Sequence, residues 1–181
     1  MKIRNLFRSA AVAAIVLSTG VAHAQTDMAK MPAVSKEAKP SPAATTKGKI
    51  GAADVTVNYS SPAVKGRTIF GGLEPYGKVW RAGANEATTV EFSKNVTVEG
   101  KPLPAGKYGF FLIPTATQWT VIFNKVPNQW GAFKYDEKQD ALRVMVTPRK
   151  TAALTERLVY DVTPKGLSMR WANAEVPVAI K

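Results

Sequence analysis

Between residues 60 and 87 the chain reads SSPAVKGRTIFGGLEPYGKVWRAGANEA, and between 124 and 140 it reads NKVPNQWGAFKYDEKQD. Neither stretch has the period of a strand or a helix, and both are dense in groups that recognise ligands. The first carries Arg67, Tyr76, Lys78, Trp80, Arg81, Asn85 and Glu86; the second carries Lys125, Asn128, Gln129, Trp130, Lys134, Tyr135 and Asp136. Arginine forks match the two oxygens of a carboxylate or phosphate. Amides beside aromatic rings suit a sugar or a polar peptide, because the ring covers an apolar face while the amide fixes hydroxyls. Long loops of this kind in a compact domain are often functional. A site made from both would use Trp80 and Trp130 as platforms and Arg67, Arg81 and Lys125 as anion clamps.

The same residues also fit plainer roles. Trp80 could fill a gap in the core while Arg81 pairs internally with Glu86 or Glu91, and Trp130 and Phe133 could cover the open end of a sandwich. Asp136, Glu137 and Asp140 could hold a hard cation through oxygen ligands, but they lack EF-hand spacing, so a solvated acidic turn is the favoured reading. Glu86 with Asp136 or Glu91 would be the carboxylate pair of a glycoside hydrolase. Ser60 or Ser61 with Lys65 or Lys125 would be a serine–lysine arrangement. The glycine-rich run GRTIFGGLEPYGK departs from phosphate-loop spacing and no helix follows it.

Composition narrows these choices. The chain has 181 residues, no cysteine and a single histidine, His23. Disulfides, thiolate nucleophiles and thiolate metal sites are excluded. Residues 1–24 read as a secretory signal: Lys2, Arg4 and Arg8 precede the apolar run Ala10–Leu17, and Ala22-His23-Ala24 sets cleavage before Gln25. The apolar run is too short to span a bilayer, which needs about 20 residues. Cleavage would remove His23, leaving no histidine for acid–base catalysis or metal ligation. It would also remove three basic residues, so 22 basic against 13 acidic residues leave +9 from the original +12. On a periplasmic or secreted protein, that charge points to envelope anions or plain solubility rather than nucleic acid. No cofactor is expected, and the oligomeric state is left open.

Residues 25–48 are rich in Ala, Pro, Lys, Ser and Thr and poor in large apolar groups, so they read as a disordered linker. Residues 49–181 then form one domain, long enough to bury a core without disulfides. Its strands are short and rich in β-branched and aromatic residues. Candidates are 55–59, 88–92, 96–98, 108–113, 119–123, 142–146, 158–162, 167–171 and 176–180, with a hairpin at Lys94-Asn95 and turns at Glu99-Gly100 and Pro164-Lys165-Gly166. YGFFLI and WTVIF are apolar on both faces, which places them centrally or beneath the loops. The segment Glu137–Leu142 permits one helical turn. About nine strands at this spacing predict an antiparallel β-sandwich, with a jelly-roll path as the first topology.

The blocks GRTIFG, YGKVWRAGANEATT, LPAGKY and NQWGAFKYDE occur in this order, and on them the chain resembles the bacterial family catalogued as domain of unknown function 2911. The resemblance runs from Asp54 to Val146 and continues more weakly through the Trp171 and Val178 strands. It implies export and no established activity, so no catalytic residue is carried over. Arg67, Tyr76, Trp80, Arg81, Asn85, Glu86, Lys125, Asn128, Gln129 and Trp130 all fall in its blocks. Three functions are expected to compete. The first is a non-catalytic binding module for an envelope glycan or anionic ligand. The others are a hydrolase of an envelope polymer using a carboxylate or lysine, and a structural protein with no small-molecule site.

Overall fold

The computed structural model describes residues 40–181. The expected signal, its cleavage point and residues 25–39 of the expected linker lie outside the described residues. Ten strands follow in chain order: β1 Ala43–Ile50, β2 Ala53–Ser60, β3 Thr88–Phe92, β4 Val96–Val98, β5 Lys101–Leu103, β6 Gly106–Ile113, β7 Trp119–Asn124, β8 Asp140–Val146, β9 Arg149–Thr163 and β10 Gly166–Ala179. One 3-10 turn, Glu137–Gln139, precedes β8 within the segment expected to permit it. Among the described residues, no helix is long and apolar enough to cross a membrane.

The fold is an open, antiparallel β-sandwich. One layer is a six-stranded sheet in the order β1-β2-β3-β6-β7-β8, and the β9–β10 hairpin faces it. The path is a meander with a hairpin laid over it, not the jelly roll expected. Successive strands of this sheet lie side by side even where the long β2–β3 and β7–β8 loops join them, since elements that follow one another in sequence are usually adjacent in space. The Lys94-Asn95 turn also differs from expectation. It leads β4 off the sheet to pair with β5 rather than β3. Glu99 and Gly100 both take positive φ, the geometry of a two-residue hairpin turn. The small β4–β5 hairpin is tied to the chain end by Thr97 N–H donating to Lys181 O at 2.8 Å and Lys181 N–H to Thr97 O at 2.9 Å.

The sandwich takes in residues before position 49. Residues 43–48, expected as linker, form most of β1, which pairs with β2 over its whole length from Ala43↔Ser60 to Ile50↔Ala53. This edge strand has no large apolar group before Ile50, so its pattern is invisible in composition; its backbone pairing with β2 holds it. Gly48 lets it close against the other layer, since a Cβ there would stand 2.6 Å from the side chain of Val162.

Alternation assigns the two faces of the large sheet. Val55, Val57, Val90, Phe92, Phe110, Leu112, Val121 and Phe123 point inward, against Leu158, Tyr160, Leu167, Met169, Trp171, Val176 and Val178 of the hairpin. Phe111 and Ile122 point outward and are buried in a second, smaller cluster with Ala87, flanked by Val79, Ala132 and Tyr135 from the two long loops. β6 and β7 are therefore covered on both faces, as their composition requires.

The final strands merge. The expected strands at 167–171 and 176–180 form one strand, β10, whose register shifts on either side of Ala172, a residue at φ 52. The polar run RKTAALTER, which carries no strand period, extends β9 back to Arg149 because β10 supplies its partner.

Candidate functional site

The loop between β2 and β3 is anchored by aromatic residues. Trp80 is only 3 % exposed and stacks on Trp171, with ring centres 5.6 Å apart and planes 22° apart. Phe70 packs edge-on to Trp80 and, at 4.6 Å, to Trp119. The Trp80 indole N–H donates to Gly83 O at 3.1 Å. Trp80 is thus a core residue and no platform for a ligand. Ala82, at φ 52, lies beneath it, and its carbonyl accepts from Thr88 Oγ1 at 2.9 Å and Tyr160 Oη at 2.7 Å. Burial holds the Tyr160 hydroxyl protonated, its pKa far above the ordinary tyrosine range.

Arg81 forms no salt bridge with Glu86 or Glu91. The acid it acts on, together with Arg67, is Glu74. Burial raises the Glu74 carboxyl to a pKa of about 7 and outweighs the two cations. Arg67 spends donors on its own loop: Nε donates to Val64 O at 3.0 Å and Nη2 to Ala63 O at 2.6 Å.

The loop between β7 and β8 rests on the outer face of the sheet. Gly109 makes room for it, since a Cβ there would stand 2.9 Å from Val126 O. Asp140 anchors its far end. Its carboxylate accepts from Tyr135 Oη at 2.6 Å and Asn124 Nδ2 at 2.8 Å, and it lies 3.2 Å from Arg143 Nε. Burial and this carboxylate push the Tyr135 hydroxyl well above the tyrosine range. Asp136 accepts from Lys138 N–H at 3.0 Å to cap the 3-10 turn, and Glu137 pairs with Arg143. All three acids of the cluster therefore have protein partners.

The two loops meet. Ala87 N–H donates to Gln129 O at 2.9 Å and Gly131 N–H to Asn85 O at 3.0 Å, which sets Glu86 opposite Trp130 in an antiparallel bridge. In this pattern the two bonds flank the pair, so the side chains leave the same face at the closer of the two antiparallel spacings. Asn85 holds the left-handed conformation at φ 58, which asparagine tolerates, and its amide donates to Ser41 O and Ser60 Oγ, each at 3.3 Å.

The bridge forms one wall of an open groove of about 490 Å³ on the outer face of β1–β3. Thr45, Asn58, Ser60, Thr89, Glu86, Asn128, Gln129 and Trp130 line it, with Glu86 the sole acid and no lysine or arginine. Trp130 is 63 % exposed. Gln129 is buried in the wall; its Nε2 donates to Val126 O at 2.8 Å, and its Oε1 has no partner. Ser60 Oγ lies 3.5 Å from Glu86 Oε2, whereas Ser61 Oγ donates to Leu158 O at 2.7 Å, so neither serine pairs with a lysine.

The ten residues singled out in sequence therefore separate. Asn85, Glu86, Asn128, Gln129 and Trp130 meet at the groove. Lys125 lies exposed on the same loop, its backbone N–H donating to Gln139 O. Arg67 and Tyr76 line a different cleft, Trp80 is in the core, and Arg81 is half-buried near Glu74. Thr45, Asn58 and Thr89 were missed as groove residues. Their signal is that they are polar, outward-facing positions of strands, which gives no hint that a loop will fold over them.

A small antiparallel β-sandwich with an open groove on one face is the class that this geometry defines. The chain belongs to the family described as Protein of unknown function (DUF2911), whose model matches residues 41–180. The match takes in β1 and the whole sandwich, beyond the blocks between Asp54 and Val146. No curated protein and no solved structure matches the chain.

Proposed function

We propose that this protein is a non-catalytic binding module of the cell envelope, exported to the periplasm or beyond, whose groove takes an uncharged, hydroxyl-rich glycan. The opposition of Glu86 and Trp130 carries the reading. An exposed indole offers a flat apolar surface to the C–H face of a sugar ring, and a carboxylate beside it accepts hydrogen bonds from hydroxyls of that ring. Asn128 adds an amide on the same wall. With one acid and no cation in the lining, the groove disfavours a polyanion, so the neutral member of the two expected ligand classes fits it better. Hydrolysis of a glycosidic bond ordinarily uses two carboxylates about 5–9.5 Å apart. Glu86 has no second acid in the groove lining, which favours binding over turnover.

Calorimetric titration with soluble peptidoglycan fragments and a panel of neutral oligosaccharides tests the reading. Trp130→Ala and Glu86→Gln should each weaken binding at least tenfold with an unchanged melting temperature. Equal affinity in both folded variants overturns the site, and release of reducing ends by the native protein overturns the non-catalytic assignment.

A further inference from the structure

A second cleft, of about 570 Å³, opens between the β2–β3 loop and the β9–β10 hairpin. An irregularity in the hairpin shapes it. Between the pairs Arg170↔Val159 and Ala174↔Lys150, β9 advances nine residues while β10 advances four. The surplus residues of β9 are displaced from the ladder, and among them Leu154 stands 55 % exposed at the cleft edge. Ala172 takes its left-handed conformation on the facing strand. A uniform hairpin would have no such wall.

The lining has two chemistries. Val64, Ile69, Phe70 and Trp119 are apolar, and all but Phe70 are buried. Arg67, Arg149 and Lys150 supply three positive charges, and no acid is part of the lining. None of the three cations forms a salt bridge with any described residue. The Arg67 guanidinium is held by two backbone carbonyls through Nε and Nη2, which orients it while leaving Nη1 uncommitted. Glu175 stands opposite Arg149 in the β9–β10 ladder but accepts from Ser168 Oγ at 3.0 Å, and Glu156 accepts from Lys65 N–H at 2.9 Å. Glu74, the other acid near Arg67, lies outside the lining.

We infer that this cleft is a second ligand site, independent of the glycan groove, for a small amphipathic anion: a carboxylate or phosphate headgroup on an aliphatic body. Cations without a salt-bridge partner beside an apolar lining favour a ligand that satisfies both at once, because the headgroup pairs with a fixed guanidinium while the body leaves water. The cleft volume falls within the range of small-molecule sites, about 300–1,000 Å³.

Calorimetry with octanoate, octyl phosphate, octanamide and inorganic phosphate tests this, each amphiphile below its micellar concentration. Octanoate and octyl phosphate should bind. Octanamide, which lacks the charge, and inorganic phosphate, which lacks the body, should each bind at least tenfold more weakly. A preference between the first two identifies the headgroup. The exposed double variant Arg149→Glu/Lys150→Glu should abolish binding while melting like the native protein. Arg67→Ala should weaken binding at least tenfold if it folds, and the double variant decides the matter if it does not. Trp130→Ala should leave octanoate binding unchanged, which separates this site from the groove. Undetectable binding of both anions, equal binding of octanamide, or full affinity in the double variant overturns the proposal.

Discussion

Glu86 and Trp130 stand opposite each other in an antiparallel bridge that joins two loops far apart in sequence. The bridge holds an exposed indole and a carboxylate on one face, and a backbone hydrogen bond on either side fixes their spacing. Neither residue is in the core, so both can change without unfolding the domain. For the same reason Phe133, 85 % exposed on the same loop, contributes little to stability. Phe133→Ala should shift unfolding by less than about 0.5 kcal/mol in urea titration.

Trp80 and Trp171 should behave in the opposite way. Each is buried, and they stack between the β2–β3 loop and the hairpin. Trp80→Ala should destabilise the fold by about 3–5 kcal/mol, measured by chemical denaturation. A loss under 1 kcal/mol would mean that the loop is not anchored through this ring.

Asp140 is the foot of the groove loop. Its carboxylate serves Tyr135, Asn124 and Arg143. Asp140→Asn keeps the shape but removes the charge facing Arg143, and should cost about 1–3 kcal/mol. Amide exchange across residues 125–136 should rise more than exchange in β6, since that loop depends on this foot.

Glu74 sets a pH dependence. Its folded pKa is about 7, above the ordinary 4.5. As pH rises from 4.5 to 7, the unfolded chain loses this proton while the folded chain keeps it, so the folded state loses relative stability across that window. Below 4.5 both states are protonated, and above 7 the loss is complete. Glu74→Gln should therefore flatten the profile and be more stable than the native protein at pH 8 by roughly 1 kcal/mol, after allowing for partial exposure. Parallel stability curves for the two proteins between pH 4.5 and 7 would contradict the burial of this carboxyl.

Gly48 is where β1 closes on β9. Gly48→Ala forces a methyl onto Val162 and should cost about 1–3 kcal/mol. Gly51→Ala meets no neighbouring atom and is penalised only through its φ of 55. Thermal melts of the two variants separate crowding from backbone strain.

Much of this fold is legible in residue order. Strands β2, β3, β6 and β7 follow from β-branched and aromatic alternation, and the double-faced apolarity of YGFFLI and WTVIF correctly places them under loops. β1 and the first half of β9 are not legible. Their residues are small or polar, and only pairing with β2 and β10 makes them strands.

For the sites, the sequence by itself determined the inventory: two loops dense in aromatic, amide and arginine groups, no cysteine anywhere, and one histidine, inside the expected signal. Only the tertiary structure decided which of those groups meet. It buried Trp80 against Trp171 and exposed Trp130 beside Glu86, although each tryptophan sits in an equally polar loop. It also set Arg67 beside Arg149 and Lys150 in a cleft that the loop sequence does not announce. The physical reason is that a side chain's composition states what it can bind. Its exposure and neighbours depend on backbone pairings between segments remote in sequence, and local order carries no record of those.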